Sequence, residues 1–144
     1  MKNILFLFVL IVSNLSFGQC QKCASITEAS KEPEKVNYLI LNEYANPNVV
    51  LTSFPKEIET YKNLEILYVI NQKIKEIPEF IGNFSKLYEI NFSGNQLEKL
   101  PNTLFELKNL KKITLRNNNF SSEYLIELKK KFSNKLPNTT VILE

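Results

Sequence analysis

Leu64-Glu65-Ile66-Leu67-Tyr68-Val69, Leu87-Tyr88-Glu89-Ile90-Asn91-Phe92 and Leu110-Lys111-Lys112-Ile113-Thr114-Leu115 align without a gap, their starts 23 residues apart. The likeness continues past each stretch. Ile74 and Ile77-Pro78 follow the first, Asn95, Leu97 and Leu100-Pro101 the second, Asn118 and Phe120 the third. Self-similarity at a fixed period in this range marks a chain built of stacked units, each too small to fold alone.

An irregular copy precedes these three. Val36, Leu39 and Leu41 occupy its strand positions, and Leu51 with Phe54-Pro55 restores its later half. Pro55, Pro78 and Pro101 each fall nine residues before the next copy begins. Val36 to Leu64 is 28 residues, so this copy holds five extra, which we place in Tyr44-Ala45-Asn46-Pro47-Asn48. An insertion at the corner where a strand ends breaks no ladder bonds, so a bulge is expected there.

Side chains alternate across a short strand, so Leu67 and Val69, Ile90 and Phe92, Ile113 and Leu115 are predicted to point inward. Parallel pairing of successive strands would stack them into one core. Asn95 and Asn118 can bond to the backbone where the chain turns away, satisfying groups otherwise buried unpaired. Gln72 holds the equivalent place in the first copy, with the same amide on one more rotor. Ile74, Ile77, Ile81 and Phe84, then Leu97, Leu100, Leu104 and Leu107, are expected to line the returning segments. A proline after Phe54, Ile77 and Leu100 suits a bend that needs no ladder donor. One copy cannot bury its own apolar face, whereas four stacked copies can.

Each of the three aligned copies resembles L-x-x-L-x-L-x-x-N-x-L, the second and third matching the asparagine and the first substituting Gln72. The chain resembles the leucine-rich-repeat family, particularly repeats that end L-P-x-x-[IL]. The resemblance is close over residues 36–120 and continues to 144. It implies an α/β solenoid: a short horseshoe arc with a parallel concave β-sheet, an irregular convex side and a C-terminal capping helix and strand. It also implies a recognition scaffold of the kind that binds proteins along the concave sheet, although a fold leaves the partner open.

Both ends depart from the repeat. Ser121-Ser122-Glu123 offers hydroxyl caps and an early acid for a helix, and Leu125, Leu128 and Phe132 recur at helical steps after it. Thr140-Val141-Ile142-Leu143, beyond Pro137-Asn138, reads as a last strand. At the other end Met1-Lys2-Asn3 precedes nine apolar residues, Ile4 to Val12, and a small residue, Gly18, precedes Gln19. This is the pattern of a secretory signal over residues 1–18, too short to span a bilayer comfortably. Residues 19–35 are expected to be an N-terminal segment or thin cap, or to lack fixed structure, and residues 36–144 the repeat domain with its C-terminal cap. Cys20 and Cys23 are the only cysteines. In an oxidising compartment they can close a tight disulfide that adds little stability; a thiol redox role is the minor alternative. Gln19 before Cys20 argues against a lipid anchor. The protein is therefore expected to be secreted or periplasmic.

Removing residues 1–18 takes away one lysine and no acid, so the net charge of +3 falls by one. That is close to neutral. Nucleic-acid binders concentrate basic residues on one face; the cluster Lys129-Lys130-Lys131 with Lys135 fits the solvated face of a helix, and no nucleic acid is expected. The absence of histidine removes an imidazole base and any histidine-bearing metal site. Three glycines leave nothing like a phosphate-cradling loop. No catalytic, metal or cofactor residues are assigned.

What remains is binding, by a partner expected to be another protein. The outward strand positions are the candidate surface: Tyr38, Ile40 and Asn42; Ile66, Tyr68 and Ile70; Glu89, Asn91 and Ser93; Lys112, Thr114 and Arg116. Tyr38, Ile40, Ile66, Tyr68 and Ile70 group toward the N-terminal side, where burying them releases water without desolvating a charge. Two readings stay open for that group: contact with a partner, or cover by the insertion or the N-terminal segment. Asn95, Asn118 and Gln72 are read as structural. A scaffold packed end-on or self-associated at the cell envelope is the alternative role.

Overall fold

The computed structural model describes residues 22–144; the proposed signal segment and Cys20 lie outside them. Six strands form one parallel sheet in sequence order: β1 (Lys22–Cys23), β2 (Tyr38–Leu41), β3 (Ile66–Val69), β4 (Glu89–Asn91), β5 (Lys112–Thr114) and β6 (Thr140–Ile142). The register reproduces the repeat alignment. Cys23, Leu39, Leu67, Ile90, Ile113 and Val141 lie side by side on adjacent strands. Leu39, Leu67, Ile90 and Ile113 are wholly buried, and Val69, Phe92 and Leu115 stack beside them. Each buried aliphatic chain removed from water contributes about 1.5–3 kcal/mol.

The returning segments close the core from the convex side. Three five-residue 3-10 helices span Lys56–Thr60, Glu79–Asn83 and Asn102–Glu106. Pro55, Pro78 and Pro101 stand at their N-caps with φ of −64°, −71° and −67°. The pyrrolidine ring holds that angle without cost, and its missing N–H falls where no helical partner exists. The aliphatic side chains expected there, from Ile74 through Leu107, are all buried.

The extra residues of the first copy turn outward after β2. Asn42 Oδ1 accepts from Ala45 N at 2.7 Å, Asn46 Nδ2 donates to Ala24 O at 2.5 Å, and Tyr44 is 86% exposed. Ahead of β2, residues 22–35 hold a fixed structure: β1, a single turn of helix α1 (Ile26–Ala29) and a 3-10 turn at Pro33–Lys35. Ala29 is wholly buried, and the Tyr61 hydroxyl meets Ser30 Oγ at 2.9 Å. Strand β1 was not legible in a segment with so few aliphatic residues.

Helix α2 (Ser122–Lys135) closes the far end, with Ser121 Oγ accepting from Tyr124 N at 3.1 Å. Leu128 and Phe132 are buried, whereas Leu125 is half-buried at the rim of the apolar face. Phe132 packs on Phe105 with ring centroids 4.9 Å apart.

Candidate protein-binding face

Strand pairing lays the outward side chains in rows across the concave face. One row runs Lys22, Tyr38, Ile66, Glu89, Lys112 and Thr140; the next runs Ile40, Tyr68, Asn91, Thr114 and Ile142. Ile70 and Arg116 lie just beyond the ends of their strands. The expected apolar group, Tyr38, Ile40, Ile66, Tyr68 and Ile70, is thus contiguous, and every member is half-buried. Residues 22–23 pair at the edge of β2 and do not lie across the sheet. The insertion leaves the sheet at the corner beyond Leu41.

A chain of contacts crosses five strands of this face. Lys22 Nζ sits 4.8 Å above the Tyr38 ring. Tyr38 meets Tyr68 edge to face, centroids 5.5 Å apart and planes at 78°. The Tyr68 hydroxyl donates to Glu89 Oε1 at 2.7 Å, and Lys112 Nζ donates to the same oxygen at 2.9 Å. Lys22–Tyr38 and Glu89–Lys112 lie within one row, whereas Tyr38–Tyr68 and Tyr68–Glu89 run diagonally between rows, within the reach of long side chains on neighbouring strands.

The electrostatics follow from that geometry. Burial raises the Glu89 carboxyl, but the bonds from Tyr68 and Lys112, with the Lys112 charge, overcome it and hold the group below its ordinary value. Burial raises the Tyr68 hydroxyl, and its bond to the Glu89 carboxylate raises it further, so it stays a donor. Tyr38 is raised by burial and then by the Glu89 charge. One carboxylate oxygen is thus shared by a neutral hydroxyl, Tyr68, and an ammonium, Lys112.

The remaining candidates divide. Asn91 Oδ1 turns to its own strand exit, accepting from Ser93 N at 3.0 Å and Ser93 Oγ at 2.6 Å. Arg116 Nε bonds to the Glu144 carbonyl. Lys22 and Tyr88 also belong to this surface, although the repeat pattern did not single them out. Tyr88 is 38% exposed and immediately precedes Glu89 at the start of β4. Its place beside Glu89, matching Glu65 and Lys111 in the other copies, was the available signal; Lys22 had none.

Below the face, each repeat is tied to the one before it. Asn95 Nδ2 donates to Val69 O at 2.8 Å and Phe92 O at 3.0 Å, while Oδ1 accepts from Ile74 N at 3.2 Å. Asn118 repeats the pattern with Phe92 O at 3.0 Å, Leu115 O at 2.9 Å and Leu97 N at 3.0 Å. Gln72 accepts from Leu51 N at 2.7 Å and donates to Ile70 O at 3.2 Å, reaching neither the preceding strand nor a second carbonyl.

No protein-family model matches the chain. It is 32% identical over 75 residues to Receptor like protein 22 of Arabidopsis thaliana, covering 51% of this chain and 10% of that one. It is 31% identical over 65 residues to the flightless-1 homolog of Caenorhabditis elegans, covering 44% of this chain and 5% of that one. The chain thus spans a tenth or less of the length of these curated relatives. A solved leucine-rich-repeat protein of Leptospira interrogans shares its fold, with a TM-score of 0.51 and 20% identity over 85% of this chain and 35% of that one. The repeat register and this fold agree. The chain has the leucine-rich-repeat fold.

Among its described residues, this leucine-rich-repeat chain gathers no group of histidine, cysteine or acidic side chains able to hold a metal, and no helix long and apolar enough to cross a membrane. Cys23 is wholly buried and disulfide-bonded.

Proposed function

We propose that this chain is a non-catalytic, exported module that binds a protein partner on the N-terminal half of its concave face. One observation carries the reading: Tyr38 and Tyr68 are held in place by Lys22, by each other and by Glu89, with Ile40, Ile66 and Ile70 beside them. Aromatic side chains already fixed lose little freedom when a partner arrives, and large rigid rings supply much of the energy at protein interfaces. The relative called receptor-like favours recognition over catalysis. Export rests on residues 1–18, and the mass of the native protein checks it: a mature chain is expected to begin at Gln19.

The test joins capture to a variant. Proteins retained from the native extracytoplasmic fraction are identified and titrated against wild type and the double variant Tyr68→Ser, Ile70→Ser. The variant is expected to weaken binding by about a hundredfold or more with an unchanged circular dichroism spectrum. Equal affinity of the two proteins would overturn the reading. Loss of folded signal would assign these side chains to the core.

A further inference from the structure

Charge is unevenly spread along the solenoid. Residues 22–107 hold nine lysines and twelve glutamates, whereas from Lys108 onward seven lysines and Arg116 stand against Glu123, Glu127 and Glu144. The lysine cluster at the end of α2 does not share one flank of the helix. Lys129 lies 3.7 Å from Glu144. Lys131 and Lys135, one turn apart, instead line a groove of about 710 Å³ on the convex side, together with Lys108 and the 3-10 helix Asn102–Glu106. Lys131 is held there: its Nζ donates to Asn102 Oδ1 at 2.5 Å and sits 4.5 Å above the Phe105 ring. Among the described residues, Lys108 and Lys135 form no ion pair and the Asn102 amide hydrogens have no partner. Glu106 is the one acid on the walls. Ammoniums gathered on one groove repel each other, and a cleft lined by one sign of charge concentrates the opposite sign.

We infer that this groove, separate from the protein-binding face, binds a linear anionic polysaccharide. Its carboxylate or sulfate groups sit on Lys108, Lys131 and Lys135, and a hydroxyl accepts from the Asn102 amide. Charge complementarity sets the sign of the ligand, and the walls set its kind. Lysines are compact point charges that suit anions repeated along a chain, unlike the arginine fork that grips a single phosphate or carboxylate. A single-stranded nucleic acid needs rings on which to stack. The one ring in this groove, Phe105, is 5% exposed and lies under Lys131. A protein segment draws its affinity from apolar anchors, and no aliphatic side chain lines the groove. A bilayer presents its charge on a plane, whereas these ammoniums flank a recess.

Calorimetric titration of the purified chain tests the site with an oligogalacturonate, which carries carboxylates, and a heparin oligosaccharide, which carries sulfates, against neutral dextran. Binding to at least one acidic chain, none to dextran, and an affinity that falls as salt rises are expected. Lys108→Gln with Lys135→Gln, which breaks no side-chain bond of the fold, should weaken that binding by about tenfold or more at low salt with an unchanged melting temperature. Lys62→Gln with Lys75→Gln removes the same charge at exposed positions outside the groove and should leave the affinity as it was. No binding to either acidic chain would overturn the inference, as would a loss no greater in the groove variant than in the other. Polyglutamate, a single-stranded oligonucleotide or phosphatidylglycerol vesicles held at least as tightly through the same two lysines would overturn the choice of ligand.

Discussion

Gly94 and Asn71 sit one repeat apart, both in the left-handed region at φ 68° and 53°. Asn117 continues the series at φ 54°. Each stands just before the residue whose amide ties two repeats, Gln72, Asn95 and Asn118, and the left-handed step swings that amide under the sheet. Gly94 is pressed against its neighbour, and a Cβ there would run into Asn71 Oδ1. Asparagine tolerates this backbone and glycine adopts it freely. Gly94→Ala should therefore destabilise the chain by about 1–3 kcal/mol, measured as a fall in the urea midpoint at unchanged slope.

Asn95→Ala should cost more. It strips the side-chain partner from Val69 O and Ile74 N, beneath the sheet, and leaves Phe92 O with Asn118 alone; a buried group left unpaired costs about 1–3 kcal/mol. A loss of about 2–4 kcal/mol is expected, read from chemical denaturation. Gln72→Ala, which frees fewer groups, should cost less. Equal losses would mean that the bonds to the preceding strand carry no weight.

Docking of the closing helix depends on the ring pair at its base. Phe105→Ala would open a cavity under Phe132, and such truncations cost about 3–5 kcal/mol. Hydrogen exchange should rise first in α2 and β6, leaving β3 and β4 protected. Uniform loss of protection would show that the cap and the repeats unfold as one unit.

Acid should weaken the contact chain on the concave face. The Glu89 carboxyl is held below its ordinary value of 4.5 in the folded state, so between the two values the unfolded chain binds more protons. Its contribution is complete above the unfolded value and is lost as pH falls through the folded one. Wild type should therefore melt above Glu89→Gln at neutral pH, and the gap should close as the pH drops below 4.5. A gap independent of pH would remove the charge of Glu89 from the account.

The 23-residue spacing is sufficient to place Leu67, Ile90 and Ile113 on neighbouring rungs, because an aliphatic side chain recurring in step has one way to be buried. The same regularity points to the tying asparagines and to the apolar group from Tyr38 to Ile70, since alternation along a strand fixes which side chains face out. Contacts between rows are another matter. That Tyr68 reaches Glu89 and not Asn91 directly opposite, that Lys22 lies over Tyr38, and that Phe105 meets Phe132 depend on rotamers and on the docking of segments without a repeat. No periodicity records them. Those contacts turn an outward tyrosine into a fixed ring, and they form only once the strands are already in register.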